Sequence, residues 1–146
     1  MEKLFAKTES QNSKIAQLIL NNLKQREVNL LLLKGKLGAG KTAITREITK
    51  ILNSKQLANS PTFVIQKIYQ LNKNKFGYTK VIHIDLYRIS DYQDIKELGI
   101  EEDLQDKSTL VIIEWPERYN FDKLNNITVE VFEKRGGRMF VIKQPS

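Results

Sequence analysis

The chain has 146 residues, a formal net charge of +7 and no cysteine. That length suits one domain spanning residues 1–146, and the missing cysteines exclude disulfides and thiolate metal sites. No run of about eighteen apolar residues offers a membrane span, and Met1 to Lys7 lacks the apolar stretch of a signal peptide, so a cytoplasmic protein with no membrane partner is expected.

In chain order, Lys3 to Thr8 reads as a short edge strand. Ser10 or Ser13 can cap a helix that carries Ile15, Leu18, Ile19 and Leu23 on one face. Val28 to Leu33 is an apolar run with the character of a buried strand, and Ile44, Ile48, Ile51 and Leu52 recur at helical spacing after it. Asn59-Ser60-Pro61 signals a turn, and Thr62 to Leu71 has strand-like β-branched and aromatic content. Asn72 to Gly77 then connects to a second strand, Tyr78 to Tyr87, antiparallel to the first.

Ser90 or Asp91 can cap a short helix to Leu98 that Gly99 stops, and Glu101 to Leu104 add one more turn. Leu110 to Ile113 is the continuous apolar run of a strand buried on both faces, ended by Trp115-Pro116. Ile127 to Phe132 and Met139 to Ile142 flank Arg135-Gly136-Gly137-Arg138, which makes a terminal β-hairpin with a glycine turn. The sum is an α/β domain of three layers with a mixed sheet and a C-terminal hairpin.

The most specific segment is Gly35-Lys36-Leu37-Gly38-Ala39-Gly40-Lys41-Thr42, a complete G-x-x-x-x-G-K-[ST] loop between a strand and a helix. Its glycines let successive N–H groups face one hollow that suits phosphate oxygens. The following helix adds its unpaired N–H groups and the positive end of its dipole. In such a loop Lys41 reaches the β- and γ-phosphates and the Thr42 hydroxyl ligates Mg²⁺.

A phosphate loop also needs a metal-holding carboxylate at a neighbouring strand end. Val81-Ile82-His83-Ile84-Asp85 and Leu110-Val111-Ile112-Ile113-Glu114 each end in one. Either residue alone has a structural reading, such as capping a loop. Facing one phosphate site together, one suits the metal and the other the attacking water. Thr62 lies where a mobile switch commonly follows the phosphate helix, although Ser60-Pro61 also reads as a plain turn. His83, the only histidine, reads as a structural hydrogen-bonder, and Trp115 as packing. Arg88 and Arg138 can each bind phosphate or sit on the surface.

Taken together, Gly35 to Thr42, Ser60-Pro61-Thr62-Phe63, His83-Ile84-Asp85-Leu86-Tyr87-Arg88, Leu98-Gly99 and Ile113-Glu114-Trp115-Pro116 occur in an order and spacing that resembles the TsaE (YjeE) family. The resemblance implies a P-loop NTPase fold that binds ATP or ADP with Mg²⁺ and hydrolyses ATP slowly. It implies a role in tRNA threonylcarbamoyladenosine (t6A) synthesis as a switch on the TsaB and TsaD proteins, which perform the transfer, with tRNA met only through that complex. By position, Gly38, Ala39, Gly40, Lys41, Thr42 and Ala43 match the nucleotide-binding loop, with Thr42 as the Mg²⁺ ligand. Glu114 matches the metal-associated acid and Asp85 the other essential carboxylate, which with Lys41 makes the catalytic set. Arg138 and Gln11 match nucleotide-contacting positions, and Thr62 the switch. Lys36 departs from the family's usual Asp and Ala43 from a common Thr; both supply backbone groups, so binding is expected to survive.

Two other readings compete. A small nucleoside or nucleotide kinase would need an acceptor pocket and an arginine-bearing lid, and the chain offers no such insertion. A direct RNA-binding module is suggested only by the charge, because basic residues are scattered and no strand face gathers aromatic residues for stacking.

Overall fold

The computed structural model describes residues 1–36, 38–56 and 65–144. A seven-stranded mixed sheet forms the middle layer. Its strands are β1 (Glu2–Ala6), β2 (Leu30–Lys34), β3 (Gln66–Gln70), β4 (Lys80–Asp85), β5 (Thr109–Glu114), β6 (Ile127–Lys134) and β7 (Gly137–Lys143), in the spatial order β1-β7-β6-β2-β5-β4-β3. The central strands β6, β2, β5 and β4 run parallel, and β3, β7 and β1 are antiparallel to their neighbours. The helices are α1 (Glu9–Gln25), α2 (Lys41–Ile51), α3 (Tyr92–Lys96) and α4 (Ile100–Leu104), with a 3-10 turn at Pro116–Arg118.

The layers follow from residue periodicity. Along β2 and β5, every residue from Leu30 to Leu33 and from Thr109 to Glu114 is buried, because both sheet faces are covered there. Leu31, Leu33, Ile112, Val129 and Phe140 pack on one face against Ile15, Ile19 and Leu23 of α1, Ile44 and Ile48 of α2, and Leu52 just past its end. The alternate residues Leu30, Leu32, Ile82, Ile84, Val111 and Ile113 meet Ile95, Ile100 and Phe121 on the other face. Each such side chain contributes about 1.5–3 kcal/mol on full burial.

Two local expectations change. The N-cap of α1 is Thr8, not Ser10 or Ser13. The deciding residue is Gln11, whose side-chain oxygen accepts from the N–H groups of Lys7 at 2.5 Å and Thr8 at 3.2 Å. That supplies the reciprocal half of a capping box, so the edge strand ends at Ala6. Gly99 does not simply stop a helix. At φ +73° it turns the chain between α3 and α4 and serves as the N-cap residue of α4.

Candidate functional site

Because β2, β4, β5 and β6 are parallel, their carboxyl ends gather at one edge of the sheet. Leu33 and Asp85 both pair in register with Glu114, so the loop after β2 begins beside both acidic strand ends. The β6–β7 turn lies at the same edge, and the antiparallel β1 brings Ala6 opposite Arg138. Segments far apart in sequence therefore converge where the phosphate loop leaves the sheet.

Lys41 opens α2 and is only 4% exposed. The first intrahelical bond runs from Ile44 N–H to Gly40 O at 3.2 Å, which leaves the N–H groups of Lys41, Thr42 and Ala43 pointing out of the helix end. The Lys41 ammonium donates to Gly35 O at 2.6 Å and lies 4.2 Å from the centre of the Trp115 ring. Burial holds its pKa below the usual 10.5, against the pull of Glu114, Asp85 and Glu117. A partly desolvated cation at the mouth of an N–H-lined loop is suited to phosphate oxygens.

Strand register sets Asp85 and Glu114 beside the strand end from which the Lys41-bearing loop departs, and their charges favour the ammonium form of Lys41. Asp85 Oδ1 accepts from Tyr87 N–H at 2.9 Å. Its carboxyl is nevertheless held above the usual range, chiefly by burial; the Tyr87 bond opposes this and the Glu114 charge adds to it. Glu114 is 3% exposed, and its Oε2 lies 2.6 Å from Nε2 of the fully buried His83.

Arg138, at the start of β7, lies across the loop. Gly40 has φ +114°, which favours glycine, and a Cβ there would sit 2.6 Å from Arg138 Cδ and displace that side chain. Arg138 Nε is buried with no acceptor among the described residues. An orphaned guanidinium donor over a phosphate loop fits an anionic ligand.

The donor set also fits a hard cation. Thr42, in the first turn of α2, and Asp85 and Glu114, at paired strand ends, are residue types with oxygen donors. Among the described residues no group of three or more His, Cys, Asp and Glu gathers as a metal cage. Magnesium in phosphate sites takes one or two carboxylates together with water and phosphate oxygens.

The remaining sequence candidates lie further out. Gln11 sits near the same edge, with its side-chain oxygen engaged in the α1 cap. Arg88 is exposed. Thr62 lies outside the described residues. Lys36 is exposed and lines a cavity of 530 Å³ that adjoins the loop, together with Gly35, Ala39, Trp115 and Phe132.

Sequence reading underrated two residues. Trp115 is more than packing: with a left-handed backbone at φ +57°, its ring meets both the Lys41 ammonium and the Tyr87 ring, whose centroid is 4.8 Å away. His83 is a structural hydrogen-bonder as expected, but its partner is the candidate metal acid. The signal was the period of two, which puts His83 and Asp85 on one face of β4. No described helix is long and apolar enough to cross a membrane.

Comparison with known proteins agrees with this geometry. The family model described as "Threonylcarbamoyl adenosine biosynthesis protein TsaE" matches residues 6–139. The tRNA threonylcarbamoyladenosine biosynthesis protein TsaE of Rickettsia prowazekii is 41% identical over 118 residues, covering 80% of this chain and 74% of that protein. The protein of the same name from Aquifex aeolicus is 32% identical over 133 residues, covering 90% of this chain and 86% of its own length. The crystal structure of YdiB from Bacillus subtilis shares the fold with a TM-score of 0.67 and 20% identity, covering 99% of this chain and 86% of that one.

Proposed function

We propose that this chain, which belongs to the TsaE family, binds ATP with Mg²⁺ in its phosphate loop, hydrolyses it slowly, and serves tRNA t6A formation. In this reading it is a switch on the TsaB–TsaD complex and does not itself transfer the carbamoyl group. The observation that carries the reading is the convergence of Lys41, Asp85 and Glu114 at one loop mouth. The names of the related proteins support the pathway.

The chain's own groups divide the work as follows. The N–H groups of the loop and first turn, Gly38 to Ala43, cradle the phosphates, that of Ala39 on leaving Lys36 O, to which it donates at 3.1 Å in this structure. Lys41 leaves Gly35 O and the indole to reach the β- and γ-phosphates, and Arg138 supplies the orphaned Nε–H. Thr42 and Glu114 would hold the metal, and Mg²⁺ bound there would supply neutralisation of phosphate charge. Asp85 uses Oδ2, the oxygen not engaged by Tyr87, to orient the attacking water and accept its proton. A carboxyl whose pKa is raised by burial suits that task. Water then ends on the released phosphate, and ADP leaves.

Incubation with ATP and Mg²⁺ tests the proposal. Phosphate release with no phosphorylated acceptor, raised by added TsaB and TsaD, is expected. Efficient phosphoryl transfer to a nucleoside would replace this reading with a kinase, and tight binding of tRNA to the isolated chain would favour an RNA-binding module.

A further inference from the structure

His83 is buried in the sheet face that α1 and α2 cover, two residues before Asp85. Asp85 pairs in register with Glu114, so His83 reaches Glu114 diagonally across β4 and β5. Its Nε2 lies 2.6 Å from Glu114 Oε2, and its Nδ1 is buried with no hydrogen-bond partner among the described residues. A carboxylate oxygen only accepts, so at this distance the ring's Nε2–H donates to Glu114 Oε2.

We propose that His83 is a positioning residue for Glu114. Its Nε2–H fixes Oε2 and so presents the other carboxylate oxygen to the metal. This rests on the ATPase reading. Among the described residues Oε2 is the engaged oxygen, and the pair is shielded from water, with His83 at 0% and Glu114 at 3% exposure. A ligating carboxylate that is free to rotate binds metal less well than one held by a hydrogen bond, and loss of such a partner costs about 10–100-fold in metal affinity or activity. A histidine that merely filled the core would affect stability alone.

The test compares His83→Leu, which fills the space without a donor, with His83→Gln, whose amide N–H can reach the same oxygen. For each full-length variant, kcat, KM and the Mg²⁺ concentration for half-maximal ATP hydrolysis are measured alongside thermal stability. His83→Leu is expected to lower kcat and raise the Mg²⁺ requirement by about tenfold or more. His83→Gln should recover most of both, and His83→Leu should add nothing in a Glu114→Gln background. Should His83→Leu not fold, His83→Asn, whose amide is too short, takes its place. Wild-type kcat and Mg²⁺ requirement in the donor-less variant would overturn the proposal. So would equal impairment in His83→Gln, or an undiminished loss in the Glu114→Gln background. The Mg²⁺ dependence of ATP binding, followed by the fluorescence of Trp115, tests His83 even if the wild-type chain hydrolyses nothing. That last outcome would remove the ATPase reading by itself.

Discussion

Asp85 and Glu114 stand opposite each other in register at the ends of the parallel strands β4 and β5. Two carboxylates so placed repel each other, and the Lys41 ammonium between loop and strands offsets the repulsion only in part. The site therefore holds charge in a partly desolvated place, which the proposed metal and phosphates would relieve.

This has a consequence for stability. Burial raises the folded-state pKa of Asp85 above the ordinary value of 3.8, so the folded chain binds more protons there than the unfolded chain. Its contribution to stability is thus greatest below that unfolded value and is lost as pH rises through the raised one. Asp85→Asn keeps the oxygen that accepts from Tyr87 and removes the charge. Its ligand-free melting temperature at neutral pH should exceed that of the wild type by a few degrees, with the gap closing toward pH 3.5. Calorimetry across that range checks this; a gap that widens on acidification would contradict it. The same variant should lose ATP hydrolysis, an exchange of activity for stability.

Lys41 rests on Trp115, the only tryptophan of the chain. If ATP draws the ammonium to its phosphates, the indole loses a cation from its face, and nucleotide binding should change Trp115 emission. Lys41→Ala should show altered emission without ligand and bind ATP about 10–100-fold more weakly, the worth of a charge-assisted hydrogen bond of ~1.5–3 kcal/mol. A fluorescence titration reads both. Unchanged affinity in Lys41→Ala would exclude the loop as the nucleotide site.

Gly40 makes a different demand. At φ +114° an alanine is strained whatever the space, and its Cβ would also push Arg138 off the loop. Gly40→Ala should cost about 1–3 kcal/mol of stability and weaken ATP binding. Chemical denaturation and the same titration measure the two effects. Gly38→Ala is strained by its φ of +78° but meets nothing within 4 Å. It should therefore lose stability while leaving Arg138 in place.

The loop and the two acidic strand ends were legible because each is a local pattern. Glycine spacing encodes the phosphate loop, and apolar runs ending in an acid encode Asp85 and Glu114. The three layers followed from the same periodicities. What was hidden is non-local or conformational. His83 and Glu114 are 31 positions apart and meet only through strand register. Trp115 touches Lys41 because its backbone is left-handed, which a non-glycine residue does not announce. Thr8 prevails over Ser10 and Ser13 through Gln11 three residues later, in a T-x-x-Q pattern whose weight shows only in the folded cap. The insertion of β7 between β1 and β6 likewise depends on the whole sheet.

The account as a whole meets its most direct test in reconstituted t6A formation on an ANN-decoding tRNA. The reaction is followed over many turnovers with ATP, Mg²⁺, TsaB and TsaD, with and without this chain. Product should stall after the first round in its absence and continue in its presence. Lys41→Ala and Glu114→Ala should fold yet fail to sustain it. Sustained turnover without the chain, or wild-type support from Glu114→Ala, would contradict the account.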